Sequence, residues 1–350
     1  MHEKEMSAHI AEYKGKPTAY LDQNILDLFV KGIAIDLAEA LTQSFQIVFS
    51  DETLKEIRRS GDYAENFLIV LRRLNAHHLK NYLEQPGFIL TDRATITACD
   101  PFAAYDQYCE NVGSYLDIMK SMEQWLYKFS GGRVGDGIDE IHAEQKAAFR
   151  DLMGHMQSGA TELANDIAGI EEVLRQCSVQ MEQEFRDTLD ETERLMKQNI
   201  VDDKTWSGIK EFRNAVDIGP KELNNIEPPG VLQQIWERYR SIPPYADMEI
   251  TIEAFFGVSK NPIYPDQPYF KHQKVTGIYN MLNTLGYFPD SKVHKERRFI
   301  ASLSDTSHAS MGSFCNYLYS RDEYFVKKVR AAYEFLEIPT SVQLVLLENA

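Results

Sequence analysis

The segment Thr18-Ala19-Tyr20-Leu21-Asp22 constrains this chain most, because a short apolar run ends there abruptly on an acid. Apolar character resumes with helical spacing at Ile25, Leu28 and Phe29, so a strand followed by a helix is expected. Gln46-Ile47-Val48-Phe49 reads as a second strand. Ser50 caps the element after it, with Asp51 and Glu52 in the first turn. A β-α-β-α opening with near-continuous apolar strands marks a parallel sheet covered by helices.

The pattern returns at the far end. Phe299 to Phe314 has helical spacing, Asn316 to Tyr319 reads as a short strand, Glu323 to Leu336 as an amphipathic helix, and Ser341 to Leu347 as a last strand. The α/β unit is therefore expected in two halves, 17–75 and 273–350, split by an all-helical insertion over 76–272. Within the insertion Phe102, Tyr105, Cys109, Val112, Leu116 and Met119 recur at threes and fours. Leu163, Ile167, Ile170, Leu174, Cys177 and Met181 do the same, and Phe185, Leu189, Thr192 and Met196 prolong that stripe. These stripes predict a long helical arm over about 102–199, either a hairpin or a coiled coil, with short helices after it. The glycine-rich stretch 130–137 is read as a flexible connector, because it follows no strand and lacks the Gly-Lys-Ser/Thr ending of a phosphate loop. Long amphipathic helices bury their stripe against something, so the arm is expected to self-associate, most simply as a homodimer, or to engage a protein partner.

Composition narrows the function classes. A chain of 350 residues implies about two structural units. No stretch approaches the roughly 18 apolar residues of a membrane span. The opening Met1-His2-Glu3-Lys4 lacks a secretory pattern, and Cys99, Cys109, Cys177 and Cys315 are far apart. Reduced thiols in a cytoplasmic protein are the expectation. A net charge of −16 argues against indiscriminate binding of polyanions. The acidity is concentrated, however: Ile138 to Asn199 holds 14 acids against 6 Lys and Arg, a net of −8. Ser291 to Arg330 holds 8 Lys and Arg against 4 acids, a net of +4, so that segment remains able to meet a phosphate backbone.

Ligands of parallel sheets gather beyond the carboxyl ends of the strands. Asp22 directly follows the first strand, Asp322 follows the strand ending at Tyr319, Asp305 lies early in the helix feeding that strand, and Glu56 lies one turn into the helix after the second. Four acids from four segments are thus expected on one rim. Their mutual repulsion calls for a cation, and hard oxygen ligands select Mg²⁺ or Mn²⁺. Asn24 and Ser320 are expected to hydrogen-bond the carboxylates. Arg58, Arg59, Arg72, Arg73 and Arg321 are candidates to track phosphates, and His308, one turn after Asp305, reads as a packed or surface histidine rather than a general base.

The order Leu21-Asp22-x-Asn24, Glu56, Asp305-x-x-His308-Ala309 and Ser320-x-Asp322 resembles the PIN-domain nucleases, over roughly Thr18 to Asn75 and Gln273 to Leu347. Two features depart from that family. Gln23 stands where threonine is common, and Glu56 and Asp305 are 249 residues apart rather than a few dozen. The resemblance implies a PIN-like α/β fold and a divalent-metal-dependent endonuclease acting more often on RNA than on DNA. Asp22, Asp305 and Asp322 would then bind metal and Glu56 complete the pocket. A toxin, a phage-defence effector or an RNA-processing enzyme would each fit. A silent interaction scaffold on the same fold, or a single-strand or flap deoxyribonuclease, are the other readings.

Overall fold

The computed structural model describes residues 13–84, 89–112, 116–163, 170–201, 204–243, 245–261 and 267–347. Among these, six strands form one sheet: β1 (Thr18–Leu21), β2 (Gln46–Phe49), β3 (His77–Glu84), β4 (Ile89–Thr97), β5 (Tyr317–Ser320) and β6 (Ser341–Leu344). Their order is β4-β3-β2-β1-β5-β6. Every neighbouring pair is parallel except β3 with β4. The short apolar strand β1 takes the interior position and is buried along its length. Helices α1 (Gln23–Val30) and α2 (Ile35–Ser44) lead from β1 to β2, and α3 (Asp51–Arg59) and α4 (Ala64–Arg73) from β2 to β3.

After β4 come α5 (Pro101–Val112), α6 (Leu116–Phe129), α7 (Ile138–Leu163), α8 (Ile170–Asn199) and α9 (Gly208–Val216). The chain returns through α10 (Pro220–Leu223), α11 (Val231–Tyr239), α12 (Ile252–Phe255), α13 (Lys271–Leu285) and α14 (Glu296–Gly312) to β5. Helix α15 (Glu323–Phe335) carries it on to β6. The fold is α/β, with a mostly parallel sheet flanked by helices. No described helix is long and apolar enough to cross a membrane. The four cysteines form no disulfide.

The region 76–272 is not all-helical. His77 and His78 sit on β3, not on a helix: they pair with Val48 and Phe49 of β2, and His78 stacks on the Phe49 ring at 4.8 Å. Strands β3 and β4 lie at the half-exposed edge of the sheet, where polar residues such as Lys80, Asn81, Asp92 and Arg93 are tolerated. Such strands carry no continuous apolar run to announce them. The chain divides into two compact units accordingly. The first comprises the described residues of Met1–Tyr108, Ile218–Asp290 and Ala301–Ala350, and the second those of Cys109–Asp217 and Ser291–Ile300. Residues 76–108 and 218–272 therefore belong to the α/β unit, and the helical arm proper begins near Cys109.

In the second unit α7 and α8 run antiparallel. His142 meets Glu193, Phe149 stacks on Phe185 with centroids 3.9 Å apart, and Gln157 donates to Ser178 at 2.8 Å. Met153 and Leu189 are buried in this seam, so the expected stripe finds an intramolecular partner. Ile167 and the rest of 164–169 lie outside the described residues. The glycine-rich connector between α6 and α7 is anchored: Arg133 pairs with Glu144 at 2.7 Å and Asp136 at 2.7 Å, and the Lys128 ammonium donates to the Lys204 carbonyl at 2.8 Å.

What joins the two halves of the α/β unit is specific at its base. The Asn316 carboxamide oxygen accepts from the Thr18 amide at 2.8 Å and the Thr18 hydroxyl at 3.1 Å, while the Asn316 amide donates to that hydroxyl at 3.1 Å. Asn316→Ala orphans the Thr18 amide, and should lower stability by about 1 to 3 kcal/mol in urea denaturation.

Candidate functional site: the acidic crevice between β1 and β5

From β1 the chain steps outward to β2 and β3, then resumes on the opposite side of β1 with β5 and β6. The β1–β5 boundary is thus the switch point of the sheet, and in sheets of this kind the crevice that takes a ligand lies beyond the carboxyl ends of the strands at that point. Asp22 and Asp322 stand there. The Asp22 amide donates to the Tyr319 carbonyl at 3.0 Å, prolonging the β1–β5 ladder by one bond and turning the side chain inward, where it is buried.

Ser320 is the hub of the crevice. Its hydroxyl donates to Asp22 Oδ2 at 2.6 Å and accepts from the Asn24 carboxamide and the Asp322 amide, each at 3.1 Å. Asn24 also donates to Asp22 Oδ2 at 2.5 Å and accepts from the Arg321 amide at 2.9 Å. Both residues therefore hold Asp22 as expected. Burial pushes the Asp22 pKa above the usual carboxylate range, against the pull of His308 and the Ser320 hydrogen bond. Asp322 Oδ1 caps α15, accepting from the Tyr324 and Phe325 amides at 2.8 and 3.0 Å, which leaves Oδ2 outside the cap.

Asp305 lies in the middle of α14 rather than at its start, because the helix begins nine residues earlier at Glu296. Its carboxyl makes no hydrogen bond among the described residues. Burial, then the charges of Asp290 and Asp22, push its pKa well above the ordinary value, although Lys328 and His308 restrain the shift. Asp290 accepts from Asn283 at 2.8 Å, from Ser302 at 2.6 Å and from the fully buried Lys328 ammonium. A buried ion pair that sequence alone did not single out thus underlies Asp305.

Glu56 reaches the same region through a histidine. His308, with no exposed surface, bonds Tyr20 from Nδ1 at 2.7 Å and Glu56 Oε2 from Nε2 at 2.9 Å. Burial disfavours its charge, but Tyr20, Glu56 and Asp22 outweigh it and hold the imidazole pKa well above 6.5. Both ring nitrogens of an imidazolium donate, which leaves the Tyr20 hydroxyl to donate to Ser50 Oγ at 2.7 Å. Burial likewise opposes the Glu56 charge, and His308 and Arg59 nevertheless bring its pKa below the usual value. Glu52 is more than a helix-dipole residue: it accepts from Ser304 of α14 at 2.6 Å and lies 3.9 Å from Arg59. The sequence signal for it is its place one turn before Glu56.

The arginines separate into engaged and open. Arg59 bonds Glu56 at 3.0 Å and Ser304 at 2.5 Å, and Arg72 forks onto Asp100 at 2.7 and 2.9 Å with its guanidinium over the Phe102 ring. Arg73 lines a separate surface hollow with Phe29 and Leu74. Arg58 and Arg321 are exposed, and Arg321 sits beside Asp322 on the crevice rim.

Asp22, Asp305 and Asp322 converge electrostatically on one further residue, Tyr279 of α13, whose hydroxyl also feels Asp290. The carboxylates are nonetheless not drawn into a set of three or more His, Cys, Asp or Glu that could hold a metal ion, among the described residues. Like charges in a site of low polarity stay apart or stay protonated.

Two outcomes follow. Because its pKa is raised on folding, an ionised Asp305 weakens the fold above the folded pKa, and this cost is absent below the unfolded value of about 3.9. Asp305→Asn should therefore raise urea stability at pH 7 in chelator, with the gain disappearing near pH 4. Removing His308 strands the buried end of Glu56, so His308→Ala should cost about 3 to 5 kcal/mol by the same measurement. No protein-family model matches this chain, and no curated protein or solved structure does either.

Proposed function

We propose that the protein is a divalent-metal-dependent endonuclease of PIN-like type, cleaving phosphodiester bonds in RNA in preference to DNA. The observation that carries this reading is the β1–β5 switch point, where the Ser320 hydroxyl holds the Asp22 carboxylate and accepts from the backbone amide of Asp322. Asp305 beside them has a carboxyl committed to no hydrogen-bond partner among the described residues. Hard oxygen donors and crowded carboxylates whose pKa values are raised suit Mg²⁺ or Mn²⁺. When bound, such an ion neutralises the scissile phosphate and activates water.

The residues of the chain have separable tasks in this reading. Asp22, Asp305 and Asp322 hold the ion. Asn24 and Ser320 fix the Asp22 rotamer, and the imidazolium of His308 positions Glu56. Exposed Arg58 on α3 offers charge to a phosphate backbone, as does exposed Arg321, which lies in the C-terminal segment whose net charge is +4 between Ser291 and Arg330. A role for the helical unit in self-association draws on Val179, Met181 and Leu195, apolar residues left exposed on α8.

Asp22→Asn removes a ligand charge with little change in volume. It should lower Mn²⁺-dependent cleavage of single-stranded RNA by more than about 100-fold, while EDTA abolishes wild-type activity. Cleavage of DNA alone would favour the deoxyribonuclease reading. No cleavage of either polymer with Mg²⁺ or Mn²⁺ would leave a binding scaffold, and unchanged cleavage by the variant would refute the assignment of the acids.

A further inference from the structure

Tyr279, on the helix packed behind the crevice acids, carries chemistry that the fold leaves unspent. Its side chain has no exposed surface, yet its hydroxyl has no hydrogen-bond partner among the described residues. Buried hydroxyls are nearly always paired, and each exception calls for a reason. Packing fixes its position. Tyr279 lies on α13, between the two helices that carry Asp305 and Asp322. On one side its neighbour Asn280 accepts from Thr306, the residue after Asp305, at 3.3 Å. On the other, its ring meets Phe325, one turn past Asp322, with centroids 6.0 Å apart. The Lys328 ammonium lies 4.2 Å from the ring centroid and is itself held by Asn283 at 2.7 Å and by Asp290. The ring is thereby clamped from both flanks, and Asp305, Asp290, Asp322 and Asp22 all act on the hydroxyl.

We propose that Tyr279 is a ligand-contacting residue of the crevice, its hydroxyl donating a hydrogen bond to an oxygen that enters with the divalent cation. The inference rests on the divalent-ion reading given above. Burial, and then the surrounding carboxylates, keep the phenol protonated, so it serves as a donor and not as a base. Its acceptor must be compatible with an acidic pocket, which restricts it to an oxygen brought in by the cation, either of the hydration shell or of a phosphate. No bond is made or broken by Tyr279 itself: it orients that oxygen.

The full-length wild-type protein, Tyr279→Phe and Asp22→Asn are compared by calorimetric titration with Mn²⁺ alone and with Mn²⁺ plus inorganic phosphate, and by thermal unfolding in chelator. In chelator Tyr279→Phe should melt at or above the wild-type temperature, because it deletes an unpaired buried hydroxyl. A lower melting temperature would mean that the hydroxyl has a structural partner, and would overturn the proposal. Mn²⁺ affinity of Tyr279→Phe should fall about tenfold when the acceptor is a hydration oxygen. If Mn²⁺ binding is unchanged and only phosphate binding to the loaded protein falls, the acceptor is a phosphate oxygen. Wild-type affinities in both titrations would overturn the Tyr279 assignment while leaving the acids in place. Failure of the wild-type protein to bind Mn²⁺, or equal binding by Asp22→Asn, would instead overturn the divalent-ion reading on which it stands.

Discussion

The parallel pairing of β1 with β5 is the contact on which the crevice depends. Ala19, Tyr20 and Leu21 register with Tyr317, Leu318 and Tyr319. The next backbone bond, Asp22 amide to Tyr319 carbonyl, sets the direction of the Asp22 side chain. A slip of one residue would turn every side chain of β1 to the other face, carrying Tyr20 away from His308 and Asp22 away from Ser320. The Thr18–Asn316 bonds at one end and the Asp22–Ser320 bond at the other fix the register from both ends.

The electrostatics of the site form two layers with opposite character. Around His308 the charges are matched: an imidazolium faces Glu56, Arg59 faces Glu56 and Glu52, and the hydroxyls of Tyr20 and Ser304 complete the shell. That layer is satisfied without any ligand. Around Asp305 the charges are unmatched, since Asp290 and Asp22 press on it with the same sign and the nearby cation, Lys328, is already bonded to Asp290. Removing a mismatch of this kind takes either protons or a cation, and the raised pKa values of Asp22 and Asp305 express the first of these.

Much of this was legible in the sequence, and the limits have physical causes. Short apolar runs located β1, β2 and β5, because an interior parallel strand must be apolar on both faces, and they put Asp22 directly after β1 and Asp322 just beyond β5. Strands β3 and β4 were not legible, since an edge pair needs only one buried face, and Lys80, Asp92 and Arg93 dilute its alternation. Helix periodicity identified α14 but not where it starts, so Asp305 was expected near its beginning rather than nine residues in. Lys328 looks like any charged residue of an amphipathic helix, and only the packing of α13 against α15 shows that it has no exposed surface. Tyr279 carries no sequence signal at all, because an unpaired hydroxyl is a property of three-dimensional surroundings.

A separation of 298 residues between Asp22 and Ser320 also requires a physical explanation. Loop-closure entropy rises only with the logarithm of length, by about 0.6 kcal/mol per doubling. Lengthening a connection from a few dozen residues to the 249 between Glu56 and Asp305 therefore adds roughly 2 kcal/mol even for an unstructured chain. The helical unit reduces that cost, because it brings its own entrance and exit together. Helix α6, near its beginning, packs against α9, near its end. The contact depends on Gly208, where a Cβ atom would stand 2.1 Å from the Phe129 ring, so only a glycine lets the two approach this closely. The Ser207 hydroxyl bonds the Phe129 carbonyl at 3.4 Å beside it. Closing Phe129 onto Gly208 in this way shortens the effective loop that β1 and β5 must close by the residues between them.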